Sequence, residues 1–159
     1  MFGLNPRSIT SRISKMTYGI NTLTTYDEER HPEEKKVVIE AEDFCEDVFD
    51  AFVRKGEAVG IDEVHVKTYC PVRPRQTVMR IIFYCTESDM ETGGNIKFVD
   101  DADIKQLGEL SIDIGRPFQQ VEDKTVKVTL LFGATHIYVT ATNREGTEIR
   151  NCEFKFDSQ

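Results

Sequence analysis

The chain has 159 residues, 39% of them hydrophobic and 30% charged, with 10 Gly and 5 Pro, which excludes a disordered or fibrous chain and fits one compact domain. No window approaches the ~18 uncharged apolar residues of a membrane span, so no membrane span is expected. The net charge of −8 opposes any general attraction to phosphate backbones, and nucleic acid is not an expected partner.

The charge is unevenly placed. Residues 1–26 carry Arg7, Arg12 and Lys15 and no acid, residues 27–63 carry a net charge of −9, and residues 64–159 carry −2. The acid-free, Ser/Thr-rich start has the composition of a mitochondrial transit peptide, but Pro6 and the run Thr17-Tyr18-Gly19-Ile20 argue against a long amphipathic helix there. With no secretory signal either, a cytoplasmic chain is expected, mitochondrial import being the minor alternative. Residues 13–20 read as a first strand, and residues 27–36 as a charged loop containing Pro32.

Next come Phe44, Cys45, Val48, Phe49 and Phe52 at helical spacing, with Glu42, Glu46, Asp47 and Asp50 on the other face. Asp43 suits an N-cap, Arg54 and Lys55 suit a last turn, and Gly56 suits a C-terminal stop. The spacing predicts one α-helix over residues 42–55, of about three turns. Its stripe of Phe44, Val48, Phe49 and Phe52 would dock onto an apolar surface of the same domain.

From residue 64 onward the period is two. Val64, Val66 and Thr68 alternate with His65, Lys67 and Tyr69, and the same alternation carries Leu110, Ile112 and Ile114, then Val126, Val128 and Leu130, then Ile137, Val139 and Ala141. Residues 78–84 are more continuously apolar, as in a strand covered on both faces. Gly133 and the run Asn143-Arg144-Glu145-Gly146 are hairpin-length connections, so residues 124–132, 135–142 and 147–156 predict an antiparallel meander. Ile149 is out of phase with Cys152, Phe154 and Phe156, which predicts a bulge near Asn151. The expected fold is mainly β: an antiparallel β-sandwich of about eight strands, with the helix inserted between strands 1 and 2.

Little in the sequence carries catalytic chemistry. Cys45, Cys70, Cys85 and Cys152 are widely spaced, with no paired cysteines and no histidine at a ligand-like interval, so reduced, mostly buried thiols are expected and no metal. No motif surrounds Cys70 or Cys85 that would join either to His65 or His136 as a nucleophile and base. Asp100, Asp101 and Asp103 lack the glycine and closing glutamate of a calcium loop and read as a solvated turn. Pro71-Val72-Arg73-Pro74-Arg75 reads as a stiff connection between strands, with docking into a partner's aromatic groove as the alternative.

The order of several motifs resembles the peptide-binding β-sandwich of the heat shock 70 kDa chaperone family. They are Val66-Lys67-Thr68-Tyr69-Cys70-Pro71, the long strand after Gln76, Leu107-Gly108-Glu109-Leu110, the run from Val126 to Gly133, and the run from His136 to Thr142. Asn5-Pro6, Thr17-Tyr18-Gly19-Ile20, His31-Pro32-Glu33-Glu34-Lys35 and the segment from Cys45 to Phe52 are similar to its divergent 12A/12B-like branch.

The resemblance implies that residues 1–12 are the tail of a nucleotide-binding domain plus the interdomain linker. Residues 13–159 would be the peptide-binding sandwich, with the acidic insertion at 27–62. It also implies that the ATPase domain and the helical lid of typical members lie outside this chain, so that no cofactor is bound here (ATP and magnesium belong to the nucleotide-binding domain) and the chain is not an enzyme. The partners it implies are extended apolar peptide segments or unfolded client proteins. An exposed first strand or the short tail of the nucleotide-binding domain would offer strand exchange or a homodimer. Carried over motif by motif, the peptide site comprises Ile20 and Leu23 in the first loop, Phe83 and Thr86 at the end of one strand, and Ile96 and Phe98 on the next. The alternative is a protein–protein adaptor whose cleft the inserted helix keeps closed.

Overall fold

The computed structural model describes residues 11–88, 98–117 and 120–156. The strands in chain order are β1 (Ser11–Ile13), β2 (Thr17–Thr25), β3 (Lys36–Ile39), β4 (Glu42–Val53), β5 (Ala58–Gly60) and β6 (Glu63–Tyr69). They continue as β7 (Val78–Thr86), β8 (Ile104–Asp113), β9 (Val126–Phe132), β10 (His136–Asn143) and β11 (Ile149–Lys155). All pairings are antiparallel and form three sheets, ordered β3-β4-β2-β7-β8, β11-β10-β9-β6 and β1-β5.

The two large sheets face each other across the core. Tyr18, Ile20, Val53, Ile81, Phe83 and Ile112 from one meet Val128, Leu130, Phe132, Ile137, Val139 and Phe154 from the other. Burying these side chains is the main stabilising term, and the aromatic pairs Tyr18–Phe154 and Phe83–Phe154, at 6.1 and 5.5 Å between ring centroids, lie within it. The C-terminal meander forms as the turn residues predict, with β6 added beyond β9. The four cysteines are free thiols, and Cys70 alone of them is exposed.

The sheet β1-β5 packs against the core through Val59, and it takes in part of the segment assigned above to a linker. Arg12 of β1 is buried, its guanidinium carbon 4.7 Å from the centre of the Phe156 ring. None of its three nitrogens has a hydrogen-bond partner, so the ring face and the nearby charge of Glu63 stabilise a cation whose pKa burial lowers.

Three expectations are corrected. The first is the helix: residues 42–55 form no α-helix, and the described residues contain only short 3-10 turns besides strands. The segment is instead β4, the long strand between β2 and β3. Its register against β2 shifts twice. Glu46 and Asp47 together oppose Leu23, and Phe52 is the extra residue between Ala51 and Val53. These are β-bulges, and Asp47 marks the first with φ 60. A third strand, β3, closes onto β4 through a two-residue turn, Glu40-Ala41, with both φ values positive. The strand count therefore exceeds the expected eight.

The second correction is the bulge near Asn151. The β10–β11 register runs unbroken from Thr142↔Ile149 to His136↔Lys155. Ile149 simply points outward, while Cys152, Phe154 and Phe156 turn inward to varying depth.

The third concerns β6, whose apolar residues face the wrong way for a core. Val64 and Val66 are 52% and 54% exposed, while His65, Lys67 and Tyr69 point between the sheets. There the His65 ring meets Phe132 edge-on at 5.2 Å, its Nε2 is 2.6 Å from Glu63 Oε2, and Lys67 Nζ is 3.4 Å from Asp50 Oδ2. Both pairs are partly exposed, which keeps their desolvation cost low.

Candidate functional site

The five-stranded sheet splits at one end. β2 pairs with β7 only from Thr17↔Thr86 to Ile20↔Phe83. Beyond that point β2 continues with β4 as far as Thr25↔Phe44, and β7 runs back to Val78 with β8. The result is a fork, with Asn21, Thr22 and Leu23 on one tine and Met79, Arg80 and Ile81 on the other. Backbone groups on the inner edges of a fork lack the strand partner that a closed sheet would give them.

A cavity of about 310 Å³ occupies the fork. Ile20, Met79 and Ile81 supply an apolar floor, and all three are buried. The bulged part of β4 brings Glu46 and Asp47 to one side. The other wall is the connection from β6 to β7: Tyr69, Cys70, Pro71, Val72, Arg73 and Gln76. The volume and the mixture of an apolar floor with polar walls match those of small binding sites.

Electrostatics hold the walls in place. Lys35 Nζ bonds Asp47 Oδ2 at 3.1 Å and Asp100 Oδ2 at 2.5 Å, and lies 5.6 Å from the centre of the Phe98 ring. The Asp100 bond first, and then the Asp47 bond, raise the Lys35 pKa against burial, and the same bond holds the Asp100 carboxyl below its usual range. Through Lys35 the acidic segment is fastened to the β4 bulge and to residues 98–100. Burial pushes the Tyr69 phenol well above its usual pKa, with the charge of Asp50 adding to the effect. On the outer side of β7, Arg80 pairs with Glu109 in the open.

Of the residues carried over from the resemblance, Ile20 and Leu23 lie together in the fork, Leu23 half-buried at its rim. Phe83 is fully buried in the core behind it. Thr86 is buried at the far end of β7, where its hydroxyl donates to Asp103 Oδ2 at 3.0 Å beside a separate cavity that Met16, Cys85 and Lys105 also line. Phe98 is half-buried and bridges to Val48 as an antiparallel pair. Ile96 lies outside the described residues.

The four residues expected on a docking helix separate along β4. Phe52 enters the core against Tyr18 and Phe132, Phe49 lies on the opposite face over Gly19, and Phe44 and Val48 are half-buried. The aspartates of the 100–103 run have internal partners: Asp100 binds Lys35, Asp101 accepts from the Phe98 amide, and Asp103 accepts from Thr86 and Ser88.

The cavity residues that sequence reasoning passed over are Met79, Arg80, Ile81, Glu46, Asp47 and the 69–76 wall. The Pro-Arg segment was visible as a stiff connection, but nothing in it pointed to a cavity.

No family profile matches the chain. Among curated proteins, the chain is 36% identical over 143 residues to human Heat shock 70 kDa protein 12A, across 89% of its own length and 20% of that protein's. It is 34% identical to the mouse protein of the same name, and 30% identical over 151 residues to human Heat shock 70 kDa protein 12B. It thus spans about a fifth of the length of the relatives it matches. The chain is a homologue of the 12A/12B-like branch of the heat shock 70 kDa proteins.

Proposed function

We propose that this chain is a peptide-binding module that captures an extended apolar segment of an unfolded client in the fork between β2 and β7. The observation that carries the reading is the split itself. An extended segment entering it could bond to the inner edges of both tines, as in strand addition to an open sheet edge. An apolar side chain would meanwhile settle on Ile20, Met79 and Ile81. The relationship to heat shock 70 kDa proteins supports the same reading at the level of the family. The role is one of binding, with the nucleotide chemistry left to other parts of longer proteins.

The test is a fluorescence-anisotropy titration of the chain with a panel of labelled Leu/Ile-rich heptapeptides. Saturable binding is expected, and Leu23→Asp at the half-buried rim should weaken it by at least about tenfold, or ~1.4 kcal/mol, with the fold retained. Unchanged affinity in that variant refutes the site. A flat titration with every peptide refutes the reading.

A further inference from the structure

The wall of the fork formed by residues 69–76 leaves β6 at Tyr69 and enters β7 at Val78, and between those points it belongs to no sheet. Its internal bonds are few. The Gln76 amide donates to the Arg73 carbonyl at 3.1 Å, the Gln76 side chain donates to the Val78 carbonyl at 2.8 Å, and Pro71 and Pro74 have no N–H to give. The carbonyls of Pro74 and Gln76 are taken instead by one distant side chain. Lys124 Nζ donates to Pro74 O at 2.7 Å and to Gln76 O at 2.8 Å.

Lys124 ends a 3-10 turn, Val121–Lys124, just before β9, and it is fully buried. Burying an ammonium is costly unless its donors are met, and here two carbonyl oxygens accept from it. The placement follows from the register. Val126 of β9 pairs with Tyr69, so the residues just before β9 lie where the wall departs from β6.

We infer that Lys124 is the positioning residue of the peptide site, its cation fixing the end of the wall at the carbonyls of Pro74 and Gln76, the latter a residue that lines the cavity. The inference rests on the peptide-binding reading and adds the device that keeps the site formed. Without the cation two carbonyls lose their donor, the wall relaxes toward solvent, and the cavity in the fork loses one of its walls.

The experiment measures peptide affinity by anisotropy and amide exchange of residues 72–77 in four chains: wild type, Lys124→Met, Pro74→Gly and the core control Val139→Ala. Lys124→Met keeps an unbranched apolar stem one atom shorter and removes the cation. It should weaken binding by at least about tenfold and speed exchange in the wall, while Val139→Ala, destabilised elsewhere, should bind within about twofold of wild type. Lys124→Met binding within twofold of wild type overturns the inference and leaves the peptide reading standing. So does an equal loss in Val139→Ala, because the loss would then follow stability alone. Should Lys124→Met fail to fold, Pro74→Gly decides: it loosens the wall with the cation kept, weaker binding supports the inference, and unchanged binding overturns it. A wild-type chain that binds none of the peptides takes down the peptide reading, and this inference with it.

Discussion

Gly19 stands where β2 is held between β4 and β7, paired with Ala51 on one side and Tyr84 on the other, one residue before the fork opens. A methyl group on it would lie 2.5 Å from the Asp50 carbonyl oxygen, 2.9 Å from the carbonyl carbon and 2.9 Å from Phe49 Cζ. The ring can shift, but the Asp50 backbone belongs to the neighbouring strand and cannot move without parting the ladder. Overpacking of this kind costs about 1–3 kcal/mol, and a backbone obstacle puts it near the top of that range. Removing a strand glycine returns about 0.5–1 kcal/mol of chain entropy, so Gly19→Ala should lose about 2 kcal/mol net.

For a chain of this size that is a fall in Tm of about 4–8 °C, read by circular dichroism. Gly56 makes the comparison sharp: it has φ +88 and no atom within 4 Å of a built Cβ, so Gly56→Ala pays only left-handed strain. That is about 1 kcal/mol, or about 2–4 °C. A Gly19→Ala chain that melts with wild type, or above Gly56→Ala, would refute the close approach of β2 and β4.

Two further outcomes concern charges around the fork. Lys35→Met removes the cation shared by Asp47 and Asp100, whose side chains are 35% and 61% exposed, so after allowance for solvent screening the loss should be about 0.5–1 kcal/mol. Because Lys35 depresses the Asp100 pKa, this stability is present above the ordinary aspartate value of about 3.9 and disappears as pH falls through the lower folded value. The Tm gap between wild type and variant should therefore close in acid, and a gap independent of pH would count against the clasp.

Tyr69 gives the opposite arm. Its folded pKa is raised, so the stability of the neutral phenol is complete below the unfolded value of about 10 and is lost as pH rises toward the folded one. Tyr69→Phe should flatten the fall of the urea midpoint between pH 8 and 11, and an unchanged slope there would show that the phenol is not buried.

The C-terminal half was legible because its strands alternate cleanly and their turns carry glycine and asparagine. The helix expected over residues 42–55 failed for a physical reason. Residues paired with Thr24, Thr22, Ile20 and Tyr18 face one side of the sheet, and on β4 these are Cys45, Val48, Asp50 and Val53. Phe44 and Phe49, paired with Thr25 and Asn21, lie on the other side, and Phe52 is the extra residue of the second bulge. The first bulge sets the doublets Phe44-Cys45 and Val48-Phe49 four residues apart, so apolar residues from both faces of a strand imitate a helical period. The hairpin that would have exposed the error turns on Glu40-Ala41, and neither residue is the asparagine or glycine that usually marks such a turn. At the site, Ile20 and Leu23 were reached through family likeness, whereas Met79 and Ile81 could not be, since β7 reads as an ordinary core strand until its partner leaves it. Lys124 reads as a surface lysine between Asp123 and Thr125, because burial is a tertiary fact with no local signature.

The inversion of β6 bears on how the protein behaves in a crowd. This strand ends the four-stranded sheet, and its outer face carries Val64 and Val66, the combination that invites edge-to-edge stacking of copies. The same inversion turns Lys67 inward, bonded to Asp50. A second strand laid along this edge would have to extend the sheet past an inward lysine. An inward charge on an edge strand opposes such stacking, so the face without the valines limits what the exposed valines can do.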